Sequence, residues 1–133
     1  MLRHFLLSTF VIGLSGSACH KNHNPSRQLY TGKLVIASPC SHYVIEVVEG
    51  PIDPAKIAVF WKDTFADTTY KNVFTVSNYC SFADLGLGKN EYITFELATE
   101  TPPPGCQVQC MIYYPTPPVQ NLIKNAKKVT WTD

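Results

Sequence analysis

Tyr92-Ile93-Thr94-Phe95-Glu96-Leu97 alternates without a break, with Ile93, Phe95 and Leu97 on one side and Tyr92, Thr94 and Glu96 on the other. A period of two is the mark of a strand with one buried face. Working outward, Gln107 to Tyr114 (QVQCMIYY) alternates in the same way, with Val108, Cys110 and Ile112 together. Upstream, residues 32–37, 42–48, 56–61 and 71–77 are short β-type runs, and 127–132 makes a plausible last one. Turn signals separate them: Ser38-Pro39, Gly50-Pro51, Asp53-Pro54 and the polar stretch 62–69. Short strands punctuated by turn residues predict a mainly β domain.

One helical turn breaks the pattern. Ser81-Phe82-Ala83-Asp84-Leu85 opens on a capping residue with an acid three positions on, and Gly86 and Gly88 close it. The proline-rich stretches 101–105 and 115–118 read as stiff loops, since proline cannot enter a sheet interior. Strand, strand, strand region, short helix, strand, strand is the layout of a small OB-like barrel of five to six strands. In that layout, Lys56 to Lys71 reads as an inserted hairpin.

The amino-terminal end has a different composition. Met1 to His4 carries Arg3, Phe5 to Leu14 is mostly apolar, and Ser15 to Ala18 is small, with Cys19 next. This is the layout of a secretory signal peptide, and the apolar run is far short of the roughly 20 residues of a spanning helix. Gly16-Ser17-Ala18-Cys19 resembles a lipobox, the bacterial lipoprotein signal. Gly16 stands where that pattern has a Leu-like residue, so simple export after cleavage at Ala18 is the alternative. The resemblance implies lipid on Cys19. The reading is then a signal peptide over 1–18, a lipidated end and flexible tether over 19–28, and a single β-rich domain over 29–133. The 133 residues less the first 18 leave 115, the size of one domain with one modest core.

Eleven Lys and Arg face ten Asp and Glu, and losing Arg3 balances them. A neutral domain without a basic patch argues against nucleic acid as a partner. It also leaves membrane attachment to acyl chains. The tether has no acidic residue through Arg27. It thus lacks what resembles an inner-membrane retention or surface-export signal, and the expected address is the outer membrane facing the periplasm. The alternative is a secreted or periplasmic chain.

Gly32-Lys33-Leu34-Val35, Cys40 to Glu46, Asn78 to Gly86 and Gly88 to Phe95 together resemble small exported lipoproteins of Bacteroidota. Those carry a Gly-x-Val opening strand, a Cys-Gly-Tyr/Trp-Val-Ile-Glu second strand and a short helix before a Gly-rich turn. Ser41-His42 departs from that pattern. The resemblance covers about half of the mature chain and implies fold and address, since these groups are largely without assigned activity.

Of five cysteines, Cys19 is set aside for lipid. Cys40, Cys80, Cys106 and Cys110 remain, an even number in an exported domain, which predicts two disulfides. On a strand, Cys106 and Cys110 would lie roughly 13 Å apart, beyond the roughly 7 Å a bridge allows. Cys40 and Cys80 would then each take one of them, in either arrangement. A Cys₃His zinc site from Cys40, His42, Cys106 and Cys110 is the lesser reading, because the spacings are not knuckle-like, and no metal or other cofactor is expected. His42, the one histidine inside the domain, has no nucleophile pattern around it. Nothing in the spacing of Glu46, Glu49, Asp63, Asp67, Glu96 and Glu100 singles out a catalytic pair.

Aromatic residues are many: Trp61, Phe65, Tyr70, Tyr79, Tyr92, Tyr113, Tyr114 and Trp131. Tyr92 and Tyr113 lie opposite the apolar faces of their strands and are the expected surface rings. OB-like barrels bind oligosaccharides through such rings. Asp67-Thr68-Thr69 resembles the O-glycosylation motif of exported Bacteroidota proteins, with Thr68 as acceptor. The expectation is a lipid-anchored envelope protein that is not an enzyme, an accessory or binding module for a glycan or protein partner. The alternative is an envelope hydrolase working through His42 and acidic residues.

Overall fold

The computed structural model describes residues 27–38, 40, 42–100 and 111–131. The fold is mainly β, with strands β1 (Tyr30–Ser38), β2 (His42–Glu49), β3 (Ala58–Asp63), β4 (Thr68–Val76), β5 (Tyr92–Ala98) and β6 (Gln120–Val129). A single helical turn, α1 (Tyr79–Ala83), separates β4 from β5, and a 3₁₀ turn over Pro54–Lys56 precedes β3. That turn starts where it does because Asp53 Oδ1 accepts the Ala55 amide at 2.9 Å, ahead of a proline in the first turn.

The strands form one sheet in the order β2-β1-β5-β6-β4-β3, and β2 also pairs with β4. Hydrogen-bonded pairing therefore runs from β2 through β1, β5, β6 and β4 and returns to β2, with β3 hanging from β4 outside this circuit. The β4–β6 pairing is parallel, through Thr75–Gln120 and Val76–Asn121; the other pairings are antiparallel.

The main core gathers Leu34, Ile45, Phe74, Phe82, Ile93, Phe95 and their neighbours on one side of the sheet. Ile93 and Phe95 are fully buried, as the alternation of β5 requires, and the Phe95 ring lies 5.7 Å from those of Tyr30 and Phe74. Residues next in sequence point to opposite faces. Val35, Val44 and Val73 thus form a second, smaller cluster with Trp61 and Tyr70 packed against it. The β3–β4 hairpin supplies that cover, and its rings of Trp61 and Tyr70 stack at 6.0 Å.

Several elements differ from the sequence expectation. Met111 to Tyr114 is irregular and not strand, while Gln107 to Cys110 lies outside the described residues. Pro115, Pro117 and Pro118 follow at once and lack the amides a ladder needs. The last strand is Gln120–Val129 and not 127–132. The helix begins at Tyr79 with Asn78 as its cap. Ser81 is therefore internal, its hydroxyl donating to the Asn78 carbonyl at 3.0 Å, and Asp84 is the carboxyl-terminal cap, not the acid of a capping box.

Candidate functional site

Three elements meet around a cleft of about 550 Å³, within the size range of ligand pockets. Cys40, in the β1–β2 turn, and His42, the first residue of β2, supply one wall. The end of β4 and Tyr79 of α1 supply another, and Met111 to Tyr114 with Thr116 a third. The proline-rich chain after Tyr114 is held to β4, where the Thr75 hydroxyl donates to the Pro117 carbonyl at 3.2 Å. Pro117 itself is buried. This tie places Tyr113 and Tyr114 over the cleft, with Tyr113 83% exposed.

The chemistry of the lining is aromatic and uncharged apart from His42. No Asp, Glu, Lys or Arg is among the described residues of its walls. The His42 ring lies 6.0 Å from that of Tyr114, and its Nδ1 is buried without a hydrogen-bond partner. A buried polar atom left unpaired costs roughly 1–3 kcal/mol, so His42 carries an unsatisfied hydrogen-bonding group beside the cleft. Thr75 is paired on both sides, to Val44 of β2 and Gln120 of β6, while Val76 pairs with Asn121 of β6.

Tyr114 also lines a second cleft of about 290 Å³. The Tyr114 ring stacks on Phe65 of the β3–β4 turn at 5.4 Å, so Tyr114 is shared between the two clefts. Ser38, at the end of β1, is 8% exposed and its Oγ has no partner. It lines this second cleft with Asp63, Tyr70 and Lys89. Asp63 Oδ1 already accepts the amides of Phe65 and Ala66, at 2.9 and 3.3 Å. Burial, and then the nearby Asp63 and Glu46 carboxylates, push the Tyr70 phenol above its ordinary value, which keeps it protonated and a donor.

Tyr92, the other expected surface ring, belongs elsewhere. It stacks on Trp131 at 5.6 Å with Lys33 Nζ 5.8 Å from its ring centre. Thr68 is exposed and opens β4, its hydroxyl donating to the Ala66 carbonyl at 3.0 Å. Beside it, Asp67 pairs with Lys62 at 2.8 Å. Neither Cys40 nor Cys80 is a free titrating thiol, while Cys19, Cys106 and Cys110 lie outside the described residues. Among the described residues, no three His, Cys, Asp or Glu side chains converge as metal ligands.

The acidic residues are scattered. Glu49 accepts the Thr31 hydroxyl at 3.3 Å, Glu96 accepts the Asn125 amide at 3.0 Å, and Asp63 is committed to its turn. Ser38, Tyr79 and Tyr114 are the site residues that sequence reasoning did not single out. The two tyrosines stand in the aromatic inventory, but nothing in their spacing groups them with His42, and Ser38 has no signal beyond a turn. Comparison of the chain with family models, with curated proteins and with solved structures finds no significant match.

Proposed function

We propose that this chain is a non-catalytic binding module of the bacterial cell envelope, held by lipid on Cys19, which takes a glycan or protein partner at the cleft of His42, Tyr79, Tyr113 and Tyr114. The observation that carries the binding reading is the unpaired, buried His42 Nδ1 at the wall of an aromatic cleft. A hydrolase would need carboxylates placed beside His42, and the described walls hold none.

The domain that carries the cleft is, in this proposal, an OB-like barrel of the small Bacteroidota-type exported lipoproteins. The circuit β2-β1-β5-β6-β4 supports it, as does the helix between β4 and β5, with β3 as an inserted arm. Two disulfides, from Cys40 and Cys80 to Cys106 and Cys110 in either arrangement, would brace it from outside the sheet. Thr68, exposed near the tip of that arm, is the proposed O-glycosylation acceptor. The address proposed is the outer membrane facing the periplasm.

The test is capture of envelope glycans and peptides by the full chain and by Tyr113→Ala. This exposed substitution should weaken capture without unfolding the domain, and undiminished capture refutes the cleft. Separately, Cys19→Ser should move the processed protein out of the membrane fraction, and a processed variant that stays there refutes the anchor.

A further inference from the structure

Resting on the binding reading above, we infer that the two clefts that share Tyr114 are successive subsites for one neutral oligosaccharide. The clefts share Tyr114 as a common wall. That ring has His42 of the first cleft 6.0 Å away and Phe65 of the second 5.4 Å away, so one aromatic side chain serves both. The lining of each includes a residue with a buried polar atom that has no partner, His42 with Nδ1 in the first cleft and Ser38 with Oγ in the second. Ser38 and His42 are direct cross-strand partners in the β1–β2 pairing, so the two orphaned atoms come from a single rung of the sheet.

An aromatic ring and an unpaired polar atom in the lining of each cleft suit a chain of repeating units with alternating apolar faces and hydroxyls. A sugar ring has one apolar face for stacking and a rim of hydroxyls that donate and accept. Strand addition by an extended peptide finds little edge here, because Thr75 is paired on both sides and Val76 is paired with β6. Charge decides the class of sugar. The first cleft has no acidic or basic wall residue other than His42 among the described residues. The lining of the second includes Lys89 and Asp63, one charge of each sign. Nothing concentrates positive potential for an anionic polysaccharide.

The experiment is calorimetric titration of the full chain with three ladders, from disaccharide to hexasaccharide: β-1,4-linked N-acetylglucosamine, β-1,4-linked glucose and, as the acidic arm, galacturonate. Affinity for a neutral ladder should rise with length until both clefts are filled. Tyr113→Ala should weaken every length roughly five- to tenfold, the size of one ring contact. Phe65→Ala should weaken only the longer members, and Trp61 fluorescence should respond to those members alone, since Trp61 stacks on Tyr70 of the second cleft. Both substituted rings are exposed, at 83% and 67%, and circular dichroism checks that the variants fold. Length-independent affinity, with Phe65→Ala silent and Tyr113→Ala weakened, overturns the second subsite and leaves the binding module standing. Preference for galacturonate overturns neutrality. Absence of binding to all three ladders overturns the oligosaccharide altogether, and binding untouched by Tyr113→Ala overturns both the inference and the cleft beneath it.

Discussion

Gly32 shows what a single residue decides in this fold. A Cβ built there would stand 2.4 Å from Ile45 Cγ2 and 2.9 Å from Phe95 Cε1, inside the main core. The strand β1 can approach β2 and β5 at this point only because the side chain is missing. Gly32→Ala should therefore cost about 1–3 kcal/mol through overpacking, read as a lower urea midpoint with an unchanged slope. The sequence shows a glycine opening a strand; that it faces Ile45 and Phe95 follows only from the register. Glu91 makes a second residue-level point. Its carboxylate is held below its ordinary range, first by the hydrogen bond from Lys128, then by the Gly88 amide at 2.8 Å. A lowered folded pKa adds stability at pH above the ordinary carboxylate value, and that contribution is lost as pH falls through the lowered one. Wild type should thus melt slightly above Glu91→Gln at neutral pH, with the gap closing in acid; a gap that persists at low pH would separate the effect from ionisation.

Among the elements, β5 is legible and β6 is not, for a physical reason. The alternation of β5 holds where Ile93 and Phe95 are buried between half-buried Tyr92, Thr94 and Glu96. In Gln120–Val129, Asn121 and Ile123 point inward, but Asn125 takes a positive φ of 53°, and the pairing slips between Thr94–Lys127 and Glu96–Lys124. The extra residue is a bulge. It shifts the inward phase to Ala126, so the period of two breaks in the middle of a run that also carries Lys124, Lys127 and Lys128. The short helix is joined to β6 by a contact equally hidden from the sequence. The Asn78 side chain donates to the Ile123 carbonyl at 2.7 Å and accepts the Ile123 amide at 3.0 Å, as a strand neighbour would. Asn78→Ala should lose about 1–3 kcal/mol for the pair. Asn78→Asp, nearly the same shape, should lose at least as much, because a carboxylate faces the Ile123 carbonyl without a donor. Equal stability of Asn78→Asp and wild type in denaturant would refute the role.

At the scale of the whole molecule, the decisive link is the β2–β4 pairing, which no local pattern announces. It joins Val44, Ile45 and Glu46 to Thr75, Phe74 and Val73, and Val44, Ile45, Val73 and Phe74 are all fully buried. Both faces of this seam are covered, one by the main core and the other by the valine cluster beneath Trp61 and Tyr70. The sequence carries the ingredients, β-branched runs with no polar alternation, but burial on two faces erases the period that would have assigned each side. If the proposed barrel is closed, β2 has no free edge along the seam, whereas β3 pairs only with β4 and exposes Val59 and Phe60. Amides at the seam should then exchange only through global unfolding, and those of β3 through local opening of the hairpin at lower free energy. Native-state hydrogen exchange across a range of denaturant reads this directly: the Ile45 and Phe74 amides should converge on the unfolding isotherm, and that of Phe60 should lie well beneath it. Seam amides that exchange as readily as those of β3 would mean that β2 and β4 part in the native state, and that the sheet is open.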